Sequence, residues 1–387
     1  MHPAIVRYAR KAHNDANAMT TQRLRRRFFR NLAALALTGL LAACVSDGDD
    51  DGSLPPADTP GGVRLQIVSF GDSLSDVGTY APFANTLGGG RFTTNPGQVW
   101  TQRVATYYGD TLVAAQTGGY SVPVVNNPNG YGYAQGGALV SGTQGNNWAP
   151  NGTAALTVPV ATQFQNYLSA HGNFRNDQLV LIQGGPNDVI QAANSVAANP
   201  TDLTAPAAAT TAVQSAGVAL ARAAQNAIRN GARHVVVVNS PNLAETPLTI
   251  LSVSPTATGA LFNSLVQAFN TALATQLTND GTMRQVVYID AAAWFHDTLA
   301  SYQSQGFTVS NTATACNLAA MALRPPPAFQ SNPLGYATSL FCSPANFTVA
   351  GADQTYMFAD LVHPTTHLHA LFAQNVQRAI AASGLGR

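Results

Sequence analysis

VRLQIVSFGDSLSDVG, at residues 63–78, joins a short apolar run of β-forming residues to a glycine-led turn that contains Ser73. Three later runs have the same apolar character: LVLIQG at 179–184, HVVVVN at 234–239 and QVVYID at 285–290. Near-continuous Val, Ile and Leu is typical of strands that are buried on both faces, as in a parallel sheet covered by helices.

Segments with helical periodicity lie between and after these runs. The clearest covers 212–232, where Gly231 is placed to end the helix, and others cover about 257–278 and 364–383. Strands that alternate with helices predict an α/β fold with a doubly wound parallel sheet. Residues 116–160 and 301–350 are rich in Gly, Asn, Pro or Ser, and we expect them to form long ordered loops at the carboxyl edge of this sheet.

The composition excludes some classes of function. The chain has 387 residues, of which 46% are hydrophobic and only 10% charged. Lys11 is its single lysine, and no basic tract follows the N-terminal region. Because nucleic-acid binding needs clustered cations to displace counterions, we expect no nucleic-acid partner. No G-x-G-x-x-G or Walker pattern follows the first strand, so a nucleotide site is not expected either.

The N-terminus has the pattern of an export signal. Eight of the 19 Lys and Arg residues precede residue 44, and RLRRRFFR at 23–30 is followed by an apolar stretch that ends in LAAC at 41–44. LAAC resembles a bacterial lipobox, whose cysteine, here Cys44, becomes the lipidated first residue. An ordinary cleaved signal, or an uncleaved anchor, is the alternative reading. Translation could also start at Met19 instead of Met1.

Three parts of the chain follow from this reading. Residues 1–43 are the expected signal peptide, the acidic, Pro- and Gly-rich residues 44–62 a linker, and residues 63–387 one folded domain. We expect an exported monomer in the cell envelope, attached by lipid to a membrane, with the outer membrane favoured, or an extracellular protein. Cys316 and Cys342 are then left as a disulfide pair, the alternative being two buried thiols. The cysteines show no C-x-x-C spacing, so we expect no metal site.

Ser73 occupies a favourable position for a nucleophile. A serine just beyond the carboxyl end of a strand, after Gly71, lies where the turn can direct backbone N–H groups at a developing oxyanion. Serine still needs a nearby base to take its proton. We expect Asp72 and Asp76 to brace this turn through hydrogen bonds to the main chain.

Three further motifs follow in order along the chain: GYAQGGALV at 132–140, GGPND at 184–188 and DLVHPTTH at 360–367. Together with FGDSLSD at 70–76, they resemble the conserved blocks of the GDSL, or SGNH, hydrolase family across about residues 64–382. The resemblance implies a three-layer α/β/α, flavodoxin-like SGNH hydrolase fold and acyl transfer without a metal or cofactor.

The resemblance also assigns the parts of the oxyanion hole. They are the backbone N–H groups of Ser73 and Gly137, with Gly136 as the alternative by one residue, and the side-chain amide of Asn187. A glycine suits a position where a substrate oxygen approaches the main chain. Two departures from the family pattern are Gly132, where an Asn is usual, and the extra Pro186. Asp188 is expected to cap the helix that follows.

The last motif supplies the other members of a triad. Asp360 would hold the Nδ1 atom of His363, whose Nε2 atom would serve Ser73 as base and then as acid. His367 and His369 are rivals, but neither has an Asp three residues before it. GGRFTTNPGQVW at 89–100 resembles a segment of a lipase-like branch; its Phe92 and Trp100 are equally well read as pocket walls or as core.

The sequence therefore predicts a serine esterase or lipase that hydrolyses carboxylic esters through an acyl-enzyme on Ser73. The partner would be an ester substrate: a small ester, a lipid or an acylated glycan. Two alternatives stay open. An acyltransferase would use the same site with a lipid or glycan acceptor, and a surface lipoprotein that only binds would keep the fold without the chemistry.

Overall fold

The computed structural model describes residues 54, 57–143, 145–149 and 152–385. The predicted signal peptide, the proposed lipidation site Cys44 and most of the predicted linker lie outside these residues. The end of that linker is described, and it folds back on the domain, where Gly61 donates its N–H to the carbonyl of Tyr107. Across the described part of the chain, every helix is too short or too polar to cross a membrane.

The main sheet is parallel throughout and has the strand order β1-β4-β5-β6. A separate antiparallel hairpin pairs β2 with β3. The strands are β1 Gln66–Phe70, β2 Gln116–Gly119, β3 Val122–Asn126, β4 Gln178–Gln183, β5 His234–Val238 and β6 Val287–Ile289. The four predicted strands are all present, with ends that differ by at most three residues.

The segments that follow β1 lie on both sides of it in the sheet. Beyond the free edge of β1, Ser69 forms a parallel bridge with Gly132, which in turn bridges to Ala114. The chain thus passes from β1 outward, returns beside it, and only then crosses to β4 on the other side. This reversal is the topological switch point of a doubly wound sheet, where ligands of such folds bind.

Twelve α-helices lie within the described residues. They are α1 Ala81–Ala84, α2 Trp100–Tyr107, α3 Val160–His171, α4 Pro186–Ala198, α5 Ala205–Arg229, α6 Pro247–Ile250, α7 Pro255–Asn279, α8 Ala291–Ala300, α9 Leu318–Leu323, α10 Pro333–Tyr336, α11 Ala352–Thr355 and α12 Thr366–Ala382. The three predicted helices correspond to α5, α7 and α12. Helix α5 begins earlier than expected, and Gly231 follows its end in a left-handed conformation, at φ +93°.

Alternate strand residues face opposite sides of the sheet, and helices cover both sides. Val68, Val180 and Val235 pack with α3, α4, α5 and α7, while Ile67 and Leu179 pack with α2, α8 and α12. Because both faces are buried, the strands of this sheet are mostly apolar and show no regular alternation of polar residues. The three-layer α/β/α architecture predicted from the sequence is therefore confirmed.

The two predicted loop regions contain short elements that their composition did not reveal. Residues 116–160 include the β2–β3 hairpin, whose turn uses Tyr120 and Ser121 at positive φ in place of the usual Asn-Gly pair. Residues 301–350 include α9 and α10, which pack on an apolar cluster around a disulfide. That disulfide joins the buried Cys316 and Cys342, as predicted, across 26 residues.

Candidate active site

Ser73 follows β1 by three residues and is nearly buried, at 8% exposure. Two buried carboxylates support its turn. Asp72 accepts the N–H of Leu74, and Asp76 accepts the N–H groups of Gly78 and Thr79. The bracing role predicted for both aspartates is confirmed. Burial raises the pKa of Asp72 and of Asp76, and these hydrogen bonds oppose that effect.

Gln183 links this turn to the end of β4. Its Nε2 atom donates to Asp72 at 2.9 Å, while its Oε1 atom accepts the hydroxyl of Ser75 at 3.0 Å. The oxygen of Ser75 accepts the indole N–H of Trp100 at 3.2 Å. Sequence reasoning gave Gln183 no role, since a glutamine at a strand end carries no specific signal. The network holds the turn at residues 71–76, called the nucleophile turn below, against its neighbouring strand and against α2.

Ser73, His363 and Asp360 lie in a continuous chain of hydrogen bonds. The Nε2 atom of His363 is 2.8 Å from Ser73 Oγ, and its Nδ1 atom is 2.8 Å from Asp360 Oδ2. A carboxylate only accepts hydrogen bonds, so Nδ1 carries the proton and Nε2 is free to accept the proton of the serine. This arrangement suits a serine nucleophile with a histidine base.

Asp360 is held ionised by its surroundings. Burial alone would raise the pKa of its carboxyl, but the attraction of His363 and several hydrogen bonds hold the pKa well below its ordinary range. The main-chain N–H groups of Val362 and His363 donate to one carboxylate oxygen, and that of Ser339 donates to the other. The negative charge therefore stays in place to stabilise a protonated imidazole.

The two rival histidines lie elsewhere. His369 is buried, and its Nδ1 atom accepts the N–H of Trp100 at 3.3 Å. Burial, together with the charges of Arg103 and His363, lowers the pKa of His369 to about 3. His367 donates from Nδ1 to the carbonyl of Gln354 at 2.6 Å. Neither ring bonds to Ser73, so His363 is the base that the geometry supports.

Two backbone N–H groups near Ser73 are free to bind an oxyanion. Within the described residues, neither Ser73 nor Gly137 donates its main-chain N–H to a protein acceptor. Gly137 has φ +83°, and a Cβ atom there would overlap the carbonyl of Asn146. The N–H of the alternative residue, Gly136, is already donated to Asp76 at 2.9 Å. The geometry thus favours Gly137.

Asn187 lies at the second position of α4 and is nearly buried. Its Nδ2 atom donates to the carbonyl of Ala138 at 3.1 Å, which leaves the second N–H of the amide for a ligand. Its Oδ1 atom accepts from the side chain of Asn146 at 2.8 Å. Asn146 was not singled out from the sequence, where it is one of many asparagines in a Gly- and Asn-rich loop.

Asp188 does not cap α4, so that prediction is wrong. Pro186 and Gly185 move the helix start one turn earlier than expected: Gly185 is the N-cap, and Asp188 is already the third helical residue. Its carboxylate accepts the N–H of Val140 at 3.1 Å. Burial raises the pKa of Asp188 to about 7, and the hydrogen bond from Val140 opposes that rise. Asp188 therefore ties α4 to the loop that carries Gly137.

A cavity of about 440 Å³ opens over the carboxyl ends of the strands, and the predicted triad and oxyanion residues all line it. Much of its wall is apolar, including Leu74, Ile190, Leu243, Leu248, Phe262 and Leu361. No Lys, Arg or Glu belongs to the lining of this cavity in the described residues. The site is therefore suited to an uncharged, largely apolar ligand.

Phe92 and Trp100 both line this cavity, and Trp100 is also core. The ring of Phe92 lies 5.1 Å from that of His363 and so forms a wall beside the base. Trp100 is only 1% exposed and packs edge-on against Phe372 at 5.4 Å. Phe92 is thus a pocket wall, whereas Trp100 is both a pocket wall and a core residue.

Comparison with known proteins gives one match that covers most of the chain. A family model described as GDSL-like Lipase/Acylhydrolase matches residues 67–376. The matched range contains the four motifs and every residue of the triad and oxyanion hole described above. A search of curated proteins finds no match.

Proposed function

Because this chain belongs to the GDSL-like lipase/acylhydrolase family, we propose that it is a serine esterase that hydrolyses carboxylic esters through an acyl-enzyme on Ser73. The family membership supports a serine hydrolase in general. The observation that carries the finer proposal is the hydrogen-bonded chain from Ser73 Oγ through His363 to Asp360, at the edge of an apolar cavity.

Acylation begins when Ser73 Oγ forms a bond to the carbonyl carbon of the ester and His363 Nε2 takes the serine proton. Asp360 stabilises the resulting imidazolium. The carbonyl oxygen becomes negatively charged and binds the N–H groups of Ser73 and Gly137 and the amide of Asn187. When the tetrahedral intermediate collapses, the bond to the alcohol oxygen breaks, and His363 gives that oxygen its proton.

Deacylation repeats these steps with water. His363 removes a proton from water as its oxygen bonds to the acyl carbon, and the same N–H groups stabilise the second tetrahedral intermediate. Collapse breaks the bond to Ser73 Oγ, which regains its proton from His363. The products are one alcohol and one carboxylic acid, and the enzyme returns to its starting state.

The cavity supports neutral esters with apolar acyl groups as substrates. Its apolar lining stabilises a hydrocarbon chain by removing it from water. No Lys or Arg belongs to that lining in the described part of the chain, which disfavours anionic acyl groups. Acyl transfer to an alcohol would proceed through the same acyl-enzyme, so product analysis with added glycerol separates the two reactions. The intact triad geometry argues against a domain that only binds.

The test of the catalytic proposal is the Ser73→Ala variant. It should hydrolyse p-nitrophenyl butyrate more slowly by about 10⁴-fold or more, because no other group can form the acyl-enzyme. A fluorophosphonate should label the wild type on Ser73 and leave this variant unlabelled. Ser264→Ala, an exposed change on α7, is the matched control. Equal activity of Ser73→Ala and the wild type would refute the proposal.

We also propose that the enzyme is exported and lipid-anchored through Cys44. The Cys316–Cys342 disulfide supports an oxidising compartment and accounts for two of the three cysteines in the chain, and the third is Cys44. The Cys44→Ser variant should lose its association with membranes when the full chain is expressed in bacteria. Membrane association that survives this change would rule out the lipid anchor.

A further inference from the structure

Asn146 contacts the residues that provide two of the three oxyanion donors. Its main-chain N–H donates to the carbonyl of Gly137 at 2.9 Å, and its side-chain Nδ2 donates to Asn187 Oδ1 at 2.8 Å. We propose that Asn146 is a positioning residue that holds Gly137 and Asn187 in place for the oxyanion. This inference rests on the proposed esterase activity, since it assigns a role within the same site.

The contact with Gly137 is close and leaves little freedom. A Cβ atom on Gly137 would overlap the carbonyl of Asn146, and a Cβ atom on Gly145 would overlap the carbonyl of Gly137. Gly145 is itself held by a hydrogen bond from its N–H to Thr157 at 3.1 Å. The segment 145–146 therefore packs directly on the peptide unit that follows the Gly137 donor.

The contact with Asn187 selects one orientation of a carboxamide. An amide group can rotate by half a turn with almost no change in shape, which exchanges its oxygen and nitrogen. Here Asn146 Nδ2 requires an acceptor, and the carbonyl of Ala138 requires a donor. Both requirements are met only when Asn187 Nδ2 is directed away from Asn146. A second bond, from Asn146 Nδ2 to the main-chain carbonyl of Asn187 at 3.2 Å, strengthens the pair.

Loss of the contact between Asn146 and Asn187 should therefore change kcat rather than KM. Fixed donors act on charge that appears only in the transition state, so loosening them lowers kcat and leaves KM nearly unchanged. Removal of one oxyanion donor costs about 10²–10³-fold in kcat. Asn146→Ala keeps the main-chain bond to Gly137 and loosens the amide of Asn187 without removing it, so we expect a loss of about 10-fold or more.

The experiment is a double-mutant cycle with p-nitrophenyl butyrate. Asn146→Ala, Asn187→Ala and the double variant are compared with the wild type for kcat and KM. If Asn146 acts mainly through Asn187, the double variant should be little slower than Asn187→Ala alone. Binding of a trifluoromethyl ketone, which forms a tetrahedral adduct with Ser73, should weaken by about the same factor as kcat/KM falls.

Two further variants separate positioning from folding. Asn146→Asp keeps the side-chain volume and the bond to Gly137, but places a carboxylate oxygen against Asn187 Oδ1, and should lose at least as much kcat as Asn146→Ala. Ser141→Ala changes an exposed residue of the same loop that does not line the cavity and should match the wild type. Thermal unfolding measured on each variant shows whether a loss reflects a damaged fold.

Three outcomes would overturn the proposal: an unchanged kcat in both Asn146 variants, an effect on KM alone, or losses that multiply fully in the double variant. A loss of kcat that follows the loss of thermal stability would overturn it as well. If Ser73→Ala remains active, the esterase proposal itself fails together with this inference. If only Ser73→Ala is inactive while both Asn146 variants behave as the wild type, the esterase proposal stands alone.

Discussion

Gln163, on α3, forms hydrogen bonds with both main-chain polar groups of Gly71. Its Oε1 atom accepts the N–H of Gly71 at 2.9 Å, and its Nε2 atom donates to the carbonyl of Gly71 at 2.8 Å. Both residues are buried, and they are 92 positions apart in the chain. Since Gly71 precedes Ser73 by two residues, this side chain fixes the start of the nucleophile turn.

Replacing Gln163 should therefore destabilise the protein and impair catalysis. Gln163→Leu leaves the buried N–H of Gly71 without an acceptor, which costs about 2 kcal/mol in the free energy of unfolding. The turn that carries Ser73 should also shift and lower kcat. Urea unfolding and ester hydrolysis measure the two effects. Gln165→Leu, at an exposed position of the same helix, is the control and should change stability by about 0.5 kcal/mol or less. Equal effects of the two changes would contradict the role of Gln163.

Asp188 should make stability depend on pH between about 4 and 7. Its pKa is raised by burial from 3.8 to about 7 in the folded protein. At pH below about 4 the carboxyl is protonated in both states and has no effect. As the pH rises toward 7 the unfolded chain releases the proton first, so stability falls, and the loss is complete above the folded pKa.

The Asp188→Asn variant isolates this contribution. The amide keeps an oxygen for the N–H of Val140 but cannot ionise, so the variant should exceed the wild type in stability at about pH 8 and match it near pH 4. The difference between the two pKa values corresponds to roughly 4 kcal/mol as an upper figure. Urea unfolding at several pH values gives the comparison. Asp202→Asn is the control. Hydrogen bonds from Thr204 lower the pKa of Asp202, so its contribution to stability falls as the pH decreases, which is the opposite pH dependence. Parallel pH profiles for Asp188→Asn and the wild type would disprove the role of Asp188.

The apolar cavity predicts a preference for longer acyl chains. Each methylene group transferred from water to an apolar site contributes about 0.8 kcal/mol, or about fourfold in kcat/KM, for as long as the cavity accommodates the chain. A series of p-nitrophenyl esters from acetate to dodecanoate measures the trend. Ile190→Trp fills part of the cavity and should shorten the preferred chain, whereas Gln191→Trp, exposed on the same helix, should not. A fall in kcat/KM from acetate onward would contradict this assignment of the cavity.

The disulfide should stabilise both the fold and the triad. For a loop of 26 residues, the chain-entropy estimate of its contribution is about 3.5 kcal/mol. The loop also contains Ser339, whose N–H donates to Asp360 at 2.7 Å. The double variant Cys316→Ala with Cys342→Ala should lower the urea midpoint and should lose activity at urea concentrations where its helices are still folded. Loss of activity and of helical signal at the same concentration would show that the loop does not act on Asp360 separately.

The strands could be predicted because their signals are local, and the proposed triad could be named from motifs that resemble those of a family. Each buried strand is a continuous apolar run, and Asp360 and His363 lie within a single short motif. The contacts of Gln163 and Asn146 could not be predicted, since their partners lie 92 and 41 positions away and no periodic pattern marks them. The main sheet brings these distant segments together, which the sequence of any one segment does not specify.

Two features were not predicted correctly, the role of Asp188 and the β2–β3 hairpin. An Asp near a helix start can cap the helix or belong to its first turn, and for Asp188 the start set by Gly185 and Pro186 decides between them. The hairpin was missed because Tyr120 and Ser121 adopt positive φ, which is unusual for side-chain-bearing residues. In both cases the backbone conformation depends on packing that the local pattern does not express.

The separation of Ser73 and His363 by 290 positions determines the order in which the two residues are synthesised. During synthesis Ser73 emerges from the ribosome well before His363, so a chain that stops between them lacks the base of the proposed mechanism. His363 precedes α12 by three residues, and α12 packs against α2 in the folded protein. Under the proposed mechanism, a fluorophosphonate should therefore label only chains that contain both segments in their folded arrangement.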